Sequence, residues 1–112
     1  MRDDHLTQLR KGALELAVLA LLRRAPSYGI EIVEGLAARP GLEASTGTIY
    51  PLLTRLRNAG LVDTVWRESP KGPPRKYYSL SRRGAEALRD QARSWHELAG
   101  AMDSLLTEET QP

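Results

Sequence analysis

The side chains that could do chemistry in this sequence are hydroxyl and basic groups, because the usual catalytic groups are scarce. The chain has no cysteine, and its two histidines, His5 and His96, lie at opposite ends. The sequence therefore offers no disulfide framework, thiolate zinc site or thiol nucleophile, and the histidine spacing suits neither a metal site nor a catalytic base. It also has no glycine-rich phosphate loop and no nucleophile with a base. These features predict a protein without enzymatic activity, metal or cofactor.

Hydroxyl groups and one arginine recur in the middle of the chain. Thr48, Tyr50 and Thr54 carry hydroxyls that can reach phosphates or base edges. Arg55 can pair with a phosphate or donate two parallel hydrogen bonds to the edge of a guanine base. If a helix begins near Thr46, its first backbone N–H groups also favour an anion there. These residue types indicate contact with a nucleic acid.

The charges separate two neighbouring segments, although the 112 residues have a net formal charge of only +2. Residues 61–84 include six basic and two acidic side chains, whereas residues 85–112 include two basic and six acidic ones. The first segment would attract a polyanion and the second would repel it. Arg67, Lys71 and Arg75 lie in the basic segment and are candidates to neutralise phosphates.

These groups must be positioned by a series of short elements, of which residues 46–59 have the clearest pattern. Apolar residues recur there at the spacing of one helix face. That stripe consists of Ile49, Leu52, Leu53 and Leu56. The hydroxyl groups then fall on the opposite face, and Pro51 is expected in about the first turn, where its missing N–H costs least. Gly60 stands where a helix commonly ends.

Two helices are predicted before this one. Apolar spacing favours the first over residues 9–24 and the second from Ser27, a favourable N-cap, to about residue 38. Nine of the ten residues from Ala13 to Leu22 are apolar. A helix that is apolar on all sides is buried on more than one side, which in so small a chain points to a second chain as partner.

A β-hairpin is predicted after residue 60. Residues 61–68 and 75–80 are rich in strand-forming types, and the proline-rich residues 69–74 between them predict a protruding tip. Because residues alternate in a strand, one of the two tyrosines at 77 and 78 is expected to face inward. Trp66 is expected to anchor the hairpin.

A long helix that carries an apolar seam is predicted to end the chain. Ser81 is expected to cap it, and it should run to about residue 106, with residues 107–112 as a frayed tail. The seam residues recur at alternating spacings of four and three, which is typical of paired helices. The seam consists of Leu88, Ala92, Trp95, Ala99, Met102 and Leu106.

The order of these elements predicts a mainly α fold with a two-stranded β-hairpin, which belongs to the α+β class. Three short helices and a basic hairpin form the layout of a winged helix-turn-helix. Residues 1–80 would form this DNA-binding domain, and residues 81–112 a C-terminal dimerisation helix and tail. In such a fold the third helix can enter the major groove while the hairpin lies along the adjacent backbone.

Five sequence segments together suggest a family. They are LRKG at 9–12, PSYGIEI at 26–32, GTIYPLLTRL at 47–56, GLV at 60–62 and GPPRKYYSL at 72–80. In this order they resemble the PadR family of bacterial transcriptional regulators, over about residues 9–106. The single C-terminal helix resembles the short subfamily of PadR proteins.

The resemblance implies a homodimeric repressor that binds a roughly two-fold operator in double-stranded DNA. The recognition helix, residues 46–59, would contact DNA through Thr48, Tyr50, Pro51, Thr54 and Arg55. The wing, residues 67–76, would do so through Lys71, Gly72, Arg75 and Lys76. Thr46 and Arg67 complete the candidate DNA-binding residues. The dimer would form between the first and last helices, through Leu14, Val18, Leu21, Leu88, Ala92, Trp95, Ala99, Met102 and Leu106.

The resemblance also implies a regulatory role for Trp95. In some members a tryptophan like it lines an apolar space at the dimer interface that takes up small aromatic effectors, whereas an aromatic residue in a helix seam commonly serves packing alone. A second function stays open: a winged helix used for protein–protein contact, with little DNA affinity. Activation also stays open beside repression.

The sequence predicts a cytoplasmic protein that does not enter a membrane. Its longest apolar run, residues 16–22, is far shorter than the ~20 residues that a membrane-spanning helix needs. Acidic residues stand at positions 3 and 4, where a secretory signal would carry basic ones. The absence of cysteine is compatible with a reducing compartment.

Overall fold

The computed structural model of the protein describes residues 9–108, which form four helices and a three-stranded sheet. The elements are α1 (Ala13–Arg24), β1 (Ser27–Tyr28), α2 (Gly29–Ala37), α3 (Thr46–Asn58), β2 (Val62–Ser69), β3 (Gly72–Leu80) and α4 (Arg82–Glu108). This architecture confirms the mainly α, α+β fold with a hairpin and a long C-terminal helix. His5 and the other residues outside 9–108 are not described.

Three short helices enclose the core. The apolar sides of α1, α2 and α3 meet there, joined by single residues from the sheet and α4. The buried residues are Leu14, Val18, Leu19, Leu22, Ile32, Leu36, Ile49, Leu52, Leu53, Leu56, Val62, Tyr78 and Leu88. All four stripe residues of α3 are among them, which confirms the predicted face. Burial of each leucine or isoleucine contributes about 1.5–3 kcal/mol.

The first predicted helix, over 9–24, is interrupted near its start. Leu9 and Arg10 are helical, but a turn at Lys11 and Gly12 separates them from α1, which begins at Ala13. Glycine disfavours a helix interior because it has the largest backbone entropy to lose. The prediction is therefore right in its C-terminal limit, but it misses the turn that interrupts the helix at Lys11 and Gly12.

The sheet contains a strand that is not predicted from the sequence. β1 pairs antiparallel with β3, with Ser27 opposite Tyr78 and Tyr28 opposite Tyr77, which gives the strand order β1-β3-β2. Ser27 is therefore a strand residue, and its prediction as an N-cap is wrong. Tyr28 occupies the N-cap position of α2, and its backbone N–H donates to the Glu31 carboxylate at 3.1 Å.

Helix α3 has the predicted C-terminus but a different position for its proline. The N–H of Gly60 donates to the carbonyl of Arg57 at 2.9 Å, and that of Leu61 donates to Leu56 at 3.0 Å. This pair of bonds is the Schellman motif, in which Gly60 adopts φ +79°. Pro51, expected in about the first turn, is the sixth residue of α3. It lies in the second turn, where it has no N–H to donate to the carbonyl of Gly47.

The hairpin is longer than the sequence predicts. Its turn consists of Pro70 and Lys71 alone, and β3 begins at Gly72, so the expected six-residue tip is wrong. The pairs Arg67–Arg75 and Ser69–Gly72 leave one extra residue in β3 between them. Such a bulge interrupts the ladder of hydrogen bonds, which explains why two prolines, at 73 and 74, are accommodated in the strand.

Helix α4 is fixed at its N-terminus and projects from the rest of the chain. The Ser81 hydroxyl accepts the N–H of Gly84 at 2.9 Å, as predicted for an N-cap, and donates to the carbonyl of Gly60 at 2.7 Å. The helix continues through Thr107 and Glu108, two residues that were expected to fray. Its 27 residues span about 40 Å. The rest of the predicted tail, residues 109–112, lies outside the described residues.

Candidate nucleic-acid interface

The outer face of α3 is uncovered by the rest of the described chain. Five of the predicted contact residues on this helix are exposed there. They are Thr46, Thr48, Tyr50, Pro51 and Thr54. At about 100° per residue, Pro51 and Thr54 lie near the middle of the exposed arc, and Tyr50 lies toward the sheet. This arrangement follows from the complete burial of the opposite stripe, which leaves the polar face outward.

Tyr50 is held by a glycine at the start of α2. Its side chain is 40% exposed, and its ring packs directly against Gly29. A Cβ atom at position 29 would collide with the Tyr50 ring. The Tyr50 ring also lies near Tyr78, whose pKa is raised by burial and by proximity to Tyr50, while Arg57 acts in the opposite direction. Tyr50 therefore has a defined position between α3 and the sheet.

The wing presents two arginines on one side of the sheet. Arg67 and Arg75 stand directly opposite each other in the β2–β3 register. The Arg67 guanidinium lies 4.7 Å from the centre of the Tyr77 ring, and the Arg75 guanidinium lies 4.4 Å from the centre of Tyr28. The two tyrosine rings contact each other edge to face, with centroids 5.4 Å apart. Both cations are thus supported by aromatic faces while remaining exposed.

The other side of the wing faces the groove next to α3. Lys76 and Trp66 are cross-strand partners, and the Lys76 ammonium lies 5.8 Å from the centre of the Tyr78 ring. With Tyr50 and Arg75 they line a shallow cavity of about 260 Å³ between the helix and the wing. Trp66 is 66% exposed, so its prediction as a hairpin anchor is wrong. The inward-facing tyrosine is Tyr78, at 8% exposed, which confirms that one of the pair is inward.

Arg55 lies at the opposite edge of the α3 surface, away from the wing. Its guanidinium is 3.6 Å from the Glu15 carboxylate of α1, and its side chain is 66% exposed. The same carboxylate accepts a hydrogen bond from the Gln91 amide of α4 at 3.2 Å. Lys71 and Gly72 lie at the exposed tip of the hairpin. The predicted residues therefore form one surface with Tyr50 and the wing on one side and Arg55 on the other.

The residues predicted for dimer contact divide into two groups. Leu14, Val18 and Leu88 are buried in the core of their own chain. Leu21, Ala92 and Ala99 are half-buried, and Trp95, Met102 and Leu106 are 44–53% exposed along α4. Leu98 and Leu105 extend this apolar surface, which we call the α4 face. A cavity of about 640 Å³ lies where the α4 face meets α1, with Trp95 and Leu16 in its lining.

Three further residues lie beside the predicted ones, with Arg57 and Trp66 exposed and Tyr28 half-buried. The sequence predicts no role for Tyr28 or Arg57 and only a packing role for Trp66. Arg57 is exposed on α3 and donates to the Asn58 side chain at 3.4 Å. The signal for Arg57 was its position about 20° from Tyr50 on the helix wheel. The signal for Trp66 was its place in the most basic segment of the chain.

Other classes of site have little support in residues 9–108. This part of the chain has no group of three or more histidine, cysteine or acidic side chains that could hold a metal ion. None of its helices is both long and apolar enough to cross a membrane.

Comparison with known proteins identifies a family that shares this sequence and fold. Residues 18–90 match the model of the family described as "Transcriptional regulator PadR-like family". A PadR family transcriptional regulator from Eggerthella lenta is 36% identical, with 97% of this chain and 93% of that one covered and a TM-score of 0.83. A PadR-like transcription factor from Bacteroides fragilis is 41% identical, over 88% of this chain and 95% of that one, with a TM-score of 0.74. A PadR-like transcriptional regulator from Bacillus cereus is 33% identical, over 88% and 96%, with a TM-score of 0.81.

Proposed function

The chain belongs to the PadR-like family of transcriptional regulators, and from this premise we propose that it is a homodimer that binds two-fold operator sites in double-stranded DNA. Members of this family are transcriptional regulators, not enzymes. Helix α3 enters the major groove and the wing lies along the neighbouring backbone. Repression is the proposed outcome, since a dimer seated on a promoter occupies DNA that the polymerase needs.

One observation carries this proposal: the polar face of α3 and the cations of the wing form a single exposed surface. Tyr50, Lys76 and Arg75 line the same groove between helix and hairpin. A surface of this composition suits a duplex, because hydroxyls can bond base edges while lysine and arginine neutralise phosphates. Thr54 and Pro51, in the middle of the α3 arc, then face the bases.

The dimer is proposed from the α4 face. Trp95, Met102 and Leu106 lie on one side of a helix that projects from the core. Large apolar side chains arranged at heptad-like spacing favour a paired helix over solvent. A second copy would cover them, and α1 would contribute through Leu16 and Leu21, which are half-buried in the single chain.

An aromatic effector is proposed for the cavity at Trp95. A planar compound there would stack on the indole ring and change the spacing of the two recognition helices, which must fit half-sites ~34–36 Å apart. The test uses tryptophan fluorescence in a Trp66→Phe background, so that Trp95 is the reporting indole. Aromatic compounds should quench it, and calorimetry should show that Trp95→Ala removes the binding. Unchanged binding in that variant contradicts a role for Trp95.

We place the protein in the cytoplasm, where its DNA target lies.

The experiment for DNA binding is fluorescence anisotropy with a labelled duplex from the region upstream of the protein's own gene. If six to ten phosphates are contacted, affinity should fall by about 10³–10⁵ between 50 and 200 mM salt. Lys71→Ala and Lys76→Ala should each weaken binding and flatten the salt dependence. Arg93→Ala is the matched control, because Arg93 is exposed on the side of α4 opposite Trp95.

The alternative is a winged helix that binds another protein. The low net charge of +2 is compatible with it. Two results together would favour this alternative over DNA binding. The affinity for the duplex would stay constant across this salt range, and Lys71→Ala and Lys76→Ala would bind as wild type does.

A further inference from the structure

Two arginines of the wing face each other without a carboxylate between them. Arg67 and Arg75 are directly paired across β2 and β3, which places their Cβ atoms ~4.5–5.5 Å apart. Like charges in this position are destabilising. The ion pairs within residues 9–108 are Glu15–Arg55 and Asp90–Arg93, so neither wing arginine is neutralised there. The fold retains a concentrated positive charge at this point.

Each arginine rests instead on a tyrosine ring. Arg75 stacks on Tyr28, Arg67 stacks on Tyr77, and the two rings meet edge to face at an interplanar angle of 70°. The four side chains form one continuous stack on the face of the sheet opposite Trp66 and Lys76, and the Tyr28–Arg75 end of this stack also lines the groove beside α3. A ring face provides no oxygen acceptor for the N–H donors of arginine, and both arginines are exposed, so both guanidinium groups can still bind an anion.

Tyr28 belongs to the helical part of the molecule, not to the hairpin. It is the last residue of β1 and the N-cap of α2, and its backbone is fixed by the N–H bond to Glu31 and by pairing with Tyr77. Its half-buried ring therefore holds Arg75 in a position set by the core. An arginine held in this way loses less rotamer entropy on binding than a free one.

We propose that Tyr28 is a positioning residue which, with Tyr77, presents Arg75 and Arg67 as a preformed pair of guanidinium groups for a single backbone phosphate. This inference rests on the proposed binding of a DNA duplex. The short cross-strand distance favours one shared phosphate, because both guanidinium groups start from nearly the same point. The stack also couples the wing to the start of α2, and through Gly29 to Tyr50 on the recognition helix.

The test measures dissociation constants of the full chain for two labelled duplexes, the upstream region and a mixed sequence, over a series of salt concentrations. Tyr28→Phe keeps the ring face and should bind within two-fold of wild type. Tyr28→Leu removes it and should weaken binding about two- to five-fold for both duplexes, the size of an exposed cation–π contact. In an Arg75→Ala background, Tyr28→Leu should have no further effect, whereas a purely structural role would weaken binding there too.

Two further variants do not depend on how well Tyr28→Leu folds. Arg75→Lys keeps the charge but not the planar group, and it should lose about as much affinity as Tyr28→Leu. The double variant Arg67→Ala/Arg75→Ala should lower the slope of log K against log salt by about 0.9, the value for one phosphate, and not by the ~1.8 expected for two.

The outcomes separate this inference from the proposed function. Two outcomes would contradict the shared-phosphate pair while DNA binding by the wild type stands. In the first, Arg75→Lys and Tyr28→Leu bind the duplex as tightly as wild type. In the second, the double variant lowers the slope of log K against log salt by ~1.8. If wild type does not bind either duplex, the proposed function fails and the inference fails with it.

Discussion

The carboxylate of Glu15 lies 3.6 Å from the guanidinium of Arg55 and also accepts a hydrogen bond from Gln91. One acidic side chain of α1 thus connects α3, the proposed recognition helix, to the projecting helix α4. Arg55 was predicted from the sequence as a DNA contact, and in the free protein this carboxylate competes for it. The interaction is weak enough to be exchanged, because an exposed ion pair is worth about 0–1 kcal/mol.

Glu15→Gln should therefore increase affinity for the duplex. Removal of the negative charge releases Arg55 for a phosphate, while glutamine can still accept the bond from Gln91. We expect a gain of up to about five-fold, which corresponds to the upper end of the ion-pair energy. Anisotropy titrations at low salt measure it, with Glu15→Gln/Arg55→Ala as the control that should cancel the gain. Weaker binding by Glu15→Gln would mean that Glu15 orients Arg55 for DNA.

Gly29→Ala should displace Tyr50 and weaken DNA binding. The added Cβ would collide with the outer atoms of the Tyr50 ring, which can rotate outward because they are the far end of an exposed side chain. The loss of stability should then be small, about 1 kcal/mol, and urea denaturation can measure it. Affinity for the duplex should fall as far as in Tyr50→Ala, and the double variant should be no worse. Additive losses in the double variant would contradict a shared cause.

Gly84→Ala should destabilise the fold, because its added methyl group meets backbone atoms, which cannot move aside as an exposed side chain can. Here the added Cβ would collide with the backbone carbonyl of Leu61. Forcing atoms into a packed site typically costs 1–3 kcal/mol, which thermal unfolding would detect. Gly100→Ala is the matched control on the same helix, since within residues 9–108 its added Cβ meets nothing within 4 Å apart from the adjoining backbone of α4 and the two neighbouring residues. The control should be stabilised by roughly 0.5–1 kcal/mol. Equal effects at the two positions would exclude the Leu61 contact as the cause.

Met102→Asp should convert the proposed dimer to a monomer. It places a charge in the middle of the α4 face, where desolvation opposes pairing. Light scattering coupled to size exclusion at micromolar concentration reports the mass, and affinity for a two-fold duplex should fall with it. Ser104→Asp is the control, because Ser104 lies on the opposite side of the same turn. A dimer that survives Met102→Asp would move the interface away from this face.

Regular elements with a strong period could be predicted from the sequence, and contacts between distant residues could not. Helix α3 was predicted within one residue because its stripe repeats over more than two turns. The strand β1 has only two residues, too few to show a period, and its partners Tyr77 and Tyr78 lie 49 to 51 positions later in the chain. The prolines of β3 appear as turn residues until the bulge that accommodates them is known.

The same holds for the candidate site: the exposure of its helix residues could be predicted, and its contacts between residues far apart in the sequence could not. Exposure of Tyr50 and Thr54 follows from helix geometry, since the apolar stripe fixes which face is buried. The partner of Arg55 lies 40 positions earlier, at Glu15, and nothing in the local sequence points to it. The contact of Tyr28 with Arg75 could not be predicted either, because it depends on the pairing of β1 with β3, which brings the Tyr28 ring beneath the Arg75 guanidinium.

The hydrogen bond from Ser81 to the carbonyl of Gly60 joins the end of α3 to the start of α4. Helix α4 extends about 40 Å from this junction. A tilt of about 5° at Ser81 moves its far tip by ~3.5 Å, a distance comparable to the rise of one base pair. If the C-terminal ends of two α4 helices were held together in a dimer, the same small tilt would change the orientation of both α3 helices against the duplex.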